Sequence, residues 1–115
     1  MKYFVVIRTA PKNLELHNYI KETLEALMEL GSEVICVFFT EQAASIASKN
    51  FPMNSTEYQI QQTYLSLKNK GVELLCCGGA FRGLGLKNED AHDGIELAGN
   101  LELSQLFAQY QVLEF

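Results

Sequence analysis

Two adjacent cysteines, Cys76 and Cys77, are the residues best suited to chemistry, because they end an apolar run and precede the glycines 78 and 79 in VELLCCGGAFRGLG. A thiol attacks as the thiolate, and an isolated cysteine has a pKa of about 8.5. Local positive potential stabilises a thiolate. The backbone N–H groups of Gly78 and Gly79 and the charge of Arg82 are our candidates for supplying it. This arrangement suits capture and release of a sulfur atom, or thiol exchange.

Side-chain alternation separates the two thiols. Successive side chains of a strand point to opposite faces, so Cys76 and Cys77 cannot both face one crevice. Cys77 is nearer the loop and is the candidate nucleophile, whereas Cys76 is predicted to be a core residue. A packing role for both stays open, because free cysteine is among the most buried residue types. Cys36 lies inside the apolar run EVICVFF and is predicted to be core.

Other motifs point to chemistry less specifically. GGAFRGLG lacks the Gly-Lys-Ser/Thr ending of a phosphate-binding loop, and GLGLKN has Asn88 where a dinucleotide-binding motif needs its last glycine. His17 is predicted to be a solvated helix residue, and His92 a surface loop residue that could approach the thiol. Neither histidine has metal-ligand spacing to another His or Cys. We therefore expect neither a metal nor a cofactor.

The hydrophobic pattern alternates between strand and helix periods. Residues 2–9 and 33–39 are rich in β-branched and aromatic side chains, and the second run is typical of a strand covered on both faces. Helical stripes occupy residues 14–30 and a segment capped by Asn54 that ends near Gly71. An irregular connection with one helical turn is predicted for residues 40–54. The remaining predicted elements are strands at 72–77, 94–97 and 111–115, and a helix at 101–110 capped by Asn100.

This alternation predicts an α/β fold, as a single flavodoxin-like three-layer domain over residues 1–115 with a mainly parallel sheet of about five strands. Strand order stays open. In open parallel sheets, ligands and chemistry gather at the carboxyl ends of the strands. Cys77 lies at that end of the third predicted strand.

Composition restricts the class of protein. The chain has 115 residues, of which 48% are hydrophobic and 20% charged, as in a globular domain. The formal net charge of −5 argues against direct binding to nucleic acid. The apolar runs are too short for a secretory core region or a membrane span. We therefore expect a cytoplasmic protein whose three cysteines stay reduced.

The chain resembles the DsrE/TusD family of sulfur-relay sulfurtransferases, in the DsrE/DsrF-like superfamily. The segments that carry the resemblance are VVIRTAP, VFF, GVELLCC, the pair Arg82-Gly83 and the terminal VLEF. Each segment is generic alone. Their order and spacing, with a cysteine that ends the third strand, make the resemblance specific.

The resemblance implies a flavodoxin-like subunit in which Cys77, six residues after the glycine of GVELLCC, carries a persulfide. It implies an upstream persulfide donor and a downstream acceptor protein, in 2-thiolation of the tRNA wobble uridine or in sulfur oxidation. It also implies an oligomer with sister subunits of the DsrE/F/H or TusB/TusC type, without direct contact with nucleic acid or membrane.

The loop departs from the family pattern. Gly78 and Gly79 replace small aliphatic residues, and the spacing to Arg82-Gly83 is about one residue shorter than in the family. Because the family includes members without catalytic function, the alternative is a non-catalytic subunit with a structural or small-ligand-binding role.

Overall fold

The computed structural model describes residues 1–115, apart from the side chain of Asn100. The helices and strands, in chain order, are β1 Lys2–Ile7, α1 Leu14–Glu29, β2 Glu33–Phe39, α2 Thr56–Leu65, β3 Glu73–Cys77, α3 Gly78–Gly83, β4 Glu96–Ala98, α4 Asn100–Phe107 and β5 Gln111–Glu114. The strands form one five-stranded sheet in the order β4-β3-β2-β1-β5, with every neighbouring pair parallel. The predicted flavodoxin-like α/β domain is confirmed.

Helices cover the two faces of this sheet unequally. Strands β1 to β4 follow one another across the sheet, and the chain then returns to place β5 beside β1. Right-handed crossovers therefore put α1, α2 and α3 on one face and α4 on the other. We name these the α1–α3 face and the α4 face.

Each face has its own apolar cluster. The larger cluster joins inward residues of the strands to Ile20, Ile60 and Phe81 on the α1–α3 face. The smaller cluster lies on the α4 face, where Phe4 and Leu103 are both buried. Because strand side chains alternate, neighbouring strand residues belong to different clusters.

Several predicted helix boundaries were wrong by one to three residues. Ser55, rather than Asn54, caps α2, because its hydroxyl oxygen accepts the Tyr58 N–H at 3.1 Å. Helix α4 begins at Asn100 after Gly99 and ends at Phe107 instead of residue 110. The predicted cap by the Asn100 side chain lies outside the described part of the chain. Strand β4 lies one or two residues later than predicted.

The predicted irregular connection is more helical than the single turn that we expected. It contains a 3₁₀ helix, Glu41–Ala47, that packs into the larger cluster. The buried Gln61 side chain donates to the carbonyls of Ile46 and Ser48, each at 2.6 Å. These two bonds attach the 3₁₀ helix to α2.

His17 was predicted to be solvated, and this prediction was wrong. It is fully buried on the same stripe of α1 as Ile20 and Leu24. Nε2 lies 2.9 Å from the carbonyl oxygen of Ala10 and must carry the proton there, since a carbonyl only accepts. Nδ1 therefore accepts from the Tyr64 hydroxyl, 2.7 Å away. These two hydrogen bonds offset the free-energy cost of burying the imidazole.

No helix in the described structure is long and apolar enough to cross a membrane.

Candidate functional site

Cys77 is the last residue of β3 and the N-cap of α3. Its side chain is partly exposed, and Sγ accepts the backbone N–H of Ala80 at 3.4 Å. The thiol sulfur thus takes the role that a serine or aspartate oxygen usually has at a helix start. The glycine-rich stretch, expected to be a loop, therefore forms the short helix Gly78–Gly83.

Cys76 and Cys36 have different surroundings from Cys77. Cys76 is fully buried in the larger cluster, where its thiol donates to the carbonyl of Ala44 at 3.5 Å. Burial raises the pKa of the Cys76 thiol to about 12, and the neighbouring Cys77 adds to this. Cys36 is buried in a central strand, and burial, with a smaller effect of Glu73, raises its pKa to about 12. The predicted core positions of both residues are confirmed.

Gly78 is buried at the start of α3 and leaves room for Arg82. A Cβ atom at Gly78 would lie 3.1 Å from Nη1 of Arg82 and 3.6 Å from the carbonyl oxygen of Ala98. The guanidinium therefore folds back over the first turn of α3, beside the residue that follows Cys77. Its Nη1 donates to Oδ1 of Asn88 at 3.0 Å.

Gly79 is less confined than Gly78. Apart from the adjacent residues and the backbone of α3, the described atom nearest to a Cβ built there is Sγ of Cys77, at 3.9 Å, which is an ordinary contact. The structure thus brings Gly78, Gly79 and Arg82 around the end of β3, while the hydrogen bond to Sγ comes from Ala80.

His92 lies on the other side of the sheet from the Cys77 side chain. Its backbone N–H donates to the carbonyl of Ala47, a residue of the larger cluster, at 2.7 Å. Its Nδ1 accepts the N–H of Gly94 at 2.9 Å. These contacts attach His92 to the α1–α3 face.

An ion-pair cluster at the same sheet edge was missed by the sequence analysis. Nε of Arg8 lies 2.6 Å from Glu41, and its Nη1 lies 2.7 Å from Glu114. The pKa of Arg8 is raised, chiefly by its hydrogen bond to Glu114. Glu41 has a left-handed backbone with φ of 52°. No sequence signal joins Arg8 to a carboxylate 106 residues away.

A cleft of about 390 Å³ lies at the carboxyl edge of the sheet, between the loop after β1 and the segment after α3. Its lining includes Lys12 and Glu57 together with the apolar Phe51 and Leu86. Cys77 is not among the residues that line it. The cleft and the partly exposed thiol are therefore separate features of this edge.

Comparison with known proteins identifies the family. All of the chain, residues 1–115, matches the model of the DsrE/DsrF-like family. The chain belongs to the DsrE/DsrF-like family. This membership supports a role related to sulfur relay, and the family is associated with sulfurtransferase activity. The fold of this DsrE/DsrF-like protein also fits membership in multi-subunit sulfur-relay complexes.

Two solved structures are similar to this DsrE/DsrF-like chain. The ychN protein from E. coli is 23% identical, with a TM-score of 0.76 and full coverage of both chains. MTH1491 from Methanobacterium thermoautotrophicum, a protein of unknown function, is 13% identical with a TM-score of 0.68. The similarity covers 99% of this chain and 97% of MTH1491. At these identities the likeness shows the fold alone. No curated protein matches the sequence.

Proposed function

We propose that this protein is a sulfurtransferase subunit that carries sulfur as a persulfide on Cys77. The observation that carries the proposal is the position of Cys77. It is a partly exposed thiol at the carboxyl edge of a parallel sheet, and its sulfur accepts a backbone N–H. Chemistry gathers at this edge in α/β folds. The other two thiols are buried and lie within the clusters.

Sulfur transfer requires only a thiolate and two partners. The Cys77 thiolate attacks the terminal sulfur of a donor persulfide, R–S–SH. A new S–S bond forms to Cys77, the S–S bond of the donor breaks, and the donor leaves as RS⁻. An acceptor thiolate then attacks the same terminal sulfur, and Cys77 leaves as a thiolate. Sγ is thus the nucleophile in the first step and the leaving group in the second, and it bears negative charge in both.

The residues around β3 suit this changing charge. The Ala80 N–H already points at Sγ, and hydrogen bonds to charged groups are stronger than those to neutral ones. Gly79 leaves the space beside the sulfur open for an added atom. The Arg82 guanidinium, beside Gly78, adds positive potential at the start of α3. We assign Gly78, Gly79 and Arg82 supporting roles for the thiolate.

A relay subunit also needs partners. We propose that this one assembles with sister subunits of the DsrE/F/H or TusB/TusC type, between a persulfide donor and an acceptor protein in the cytoplasm. The α4 face supports the assembly. Leu101 is 80% exposed, and Phe107 and Val112 are each more than a third exposed, around the one helix that covers this face. Contiguous exposed apolar patches are typical of subunit contacts.

Sulfur loading of matched cysteine variants tests the proposal. The protein is incubated with a cysteine desulfurase and free cysteine, and intact mass and peptide mass spectrometry locate the added sulfur. We expect one reductant-labile sulfur atom on Cys77. Cys77→Ser abolishes it, and Cys76→Ser retains it, because Cys76 lies on the other face. Loss of sulfur in Cys76→Ser but not in Cys77→Ser would contradict the assignment.

The alternative function is a non-catalytic subunit that binds a small ligand, and the cleft of about 390 Å³ favours it. A volume of this size suits a small molecule. If wild type accepts no sulfur from the desulfurase or from cysteine persulfide, the carrier proposal fails and the non-catalytic function becomes the better account.

A further inference from the structure

Thr40 and Cys77 lie at the adjoining carboxyl ends of two neighbouring strands. Strands β2 and β3 pair in parallel, with Phe39 opposite Cys76. Thr40 continues the extended backbone, with φ of −142° and ψ of 173°, and its N–H donates to the carbonyl of Ile7 on β1 at 3.0 Å. The next residues along the two strands are Thr40 and Cys77, and we extend the pairing of β2 and β3 to them.

The two side chains also share a face. Phe38 and Leu75 are opposite each other, and both are buried in the smaller cluster on the α4 face. Side chains of a strand return to the same face after two residues. Thr40 and Cys77, two residues after Phe38 and Leu75, therefore face the α4 side of the sheet. Neighbouring strands lie about 4.8 Å apart. The Thr40 hydroxyl and the Cys77 sulfur are therefore expected to border the same space.

The Thr40 side chain precedes the 3₁₀ helix Glu41–Ala47 without bonding to it. Thr40 is the N-cap of the 3₁₀ helix Glu41–Ala47, yet its side chain makes no capping hydrogen bond. By contrast, the hydroxyls of Thr23 and Thr63 donate to carbonyls one helical turn earlier. Glu41, the residue after Thr40, has a left-handed backbone, and its carboxylate forms an ion pair with Arg8. Thr40 therefore lies on a segment whose backbone position is fixed by the contacts of its neighbour Glu41.

We infer that the Thr40 hydroxyl donates a hydrogen bond to the sulfur of Cys77 while that sulfur is negatively charged. This inference rests on the proposed persulfide function. A persulfide extends the side chain by one S–S bond of about 2 Å, which keeps its terminal sulfur in the space that Thr40 borders. When the acceptor thiolate takes the terminal sulfur, the electron pair of the broken S–S bond stays on Sγ. Thr40 and the Ala80 N–H then stabilise that thiolate together.

Threonine variants test this role through the rate of sulfur loading. Cysteine persulfide is the donor, and mass spectrometry follows the added sulfur with time. Thr40→Val keeps the shape and removes the donor, and we expect loading about tenfold slower, as for loss of a hydrogen bond to a charged group. Thr40→Ser restores the hydroxyl, and we expect a rate within about twofold of wild type. Thr9→Val is the matched control on the segment after β1, which does not neighbour β3.

The outcomes separate the inference from the function on which it rests. If wild type takes up no sulfur, the proposed function fails. If wild type loads and Thr40→Val loads equally fast, Thr40 has no role and the inference is wrong. Equal slowing in Thr40→Val and Thr40→Ser would also overturn it, because Thr40→Ser keeps the hydroxyl donor. If Thr40→Val does not fold, as judged by circular dichroism, Thr40→Ala replaces it with the same expected loss.

Discussion

Cys76 and Cys77 are consecutive residues, yet their side chains lie on opposite faces of one sheet. Cys76 packs in the larger cluster and donates to Ala44, whereas Cys77 borders the smaller cluster and accepts from Ala80. A disulfide between them is therefore incompatible with the strand. The pair divides into one packing residue and one exposed thiol, and this division has measurable consequences.

Alkylation of the folded protein should label one cysteine. With iodoacetamide at about pH 8, we expect Cys77 to react and Cys36 and Cys76 to react at least about a hundredfold more slowly. The buried thiols have pKa values of about 12 and are shielded from the reagent. Peptide mass spectrometry gives the sites, and labelling in urea shows that all three thiols can react. Labelling of Cys76 before Cys77 in the folded protein would contradict the assignment of faces.

Alanine should stabilise the fold less at Gly78 than at Gly79. Gly79→Ala adds a methyl group at ordinary contact distance and removes glycine from a helix, so we expect a gain of about 0.5 to 1 kcal/mol in the free energy of unfolding. At Gly78 the methyl group would meet the Arg82 guanidinium at 3.1 Å. We therefore expect Gly78→Ala to displace Arg82 and to be less stable than Gly79→Ala in urea unfolding. Equal stabilisation by both changes would show that Arg82 does not occupy this space.

Acidification should destabilise the fold through His17. Burial lowers the pKa of His17 in the folded protein below its ordinary value of 6.5, so the unfolded chain binds the proton first as the pH falls. The free energy of unfolding should then decrease below about pH 6.5, by at most about 1.4 kcal/mol per pH unit from this group, until the folded-state pKa is reached. Urea unfolding between about pH 7 and about pH 5 measures this slope.

A His17→Gln variant is the control for that slope. It should be less stable at neutral pH by about 1 to 3 kcal/mol, since it disturbs the bonds to Ala10 and Tyr64. Its stability should change less with pH in the same window. An unchanged slope in the variant would assign the pH dependence to another group.

The α4 face should mediate assembly. We expect wild type, alone or with sister subunits, to sediment as a species larger than its 12.9 kDa chain. Leu101→Lys should weaken the assembly, because it places a charge on the exposed part of α4. Leu30→Lys is the matched control, since Leu30 is 84% exposed at the end of α1 and Leu101 is 80% exposed. A 12.9 kDa species under both conditions, or equal effects of the two variants, would contradict this surface.

Local patterns were enough to predict the fold class and the faces of the cysteines. The continuous apolar run around Cys36 indicated a strand covered on both faces, and alternation at the end of β3 separated Cys76 from Cys77. These features depend on residues close together in the chain, and a sequence displays such periods directly. The role of Cys77 itself stays a proposal.

Contacts between distant segments depended on the tertiary structure. The sequence showed a histidine on α1, but only the packing of α2 brought Tyr64 to His17 and buried it. The glycine stretch forms a short helix whose first turn is capped by Cys77 Sγ, which accepts the Ala80 N–H. In each case a polar group found a partner whose position depends on how whole elements pack.

Strand order and register decided the remaining parts of the site. They join Arg8 to Glu114 and pair Phe39 with Cys76, although 36 residues lie between Phe39 and Cys76 in the chain. Hydrophobic periodicity indicates which face of a strand is buried, but many strand orders and registers satisfy the same periodicity. The sequence alone therefore indicated the candidate thiol, Cys77, and the face of the sheet to which its side chain points. The paired strands determined which residues neighbour it, because cross-strand contacts form only when the sheet is assembled.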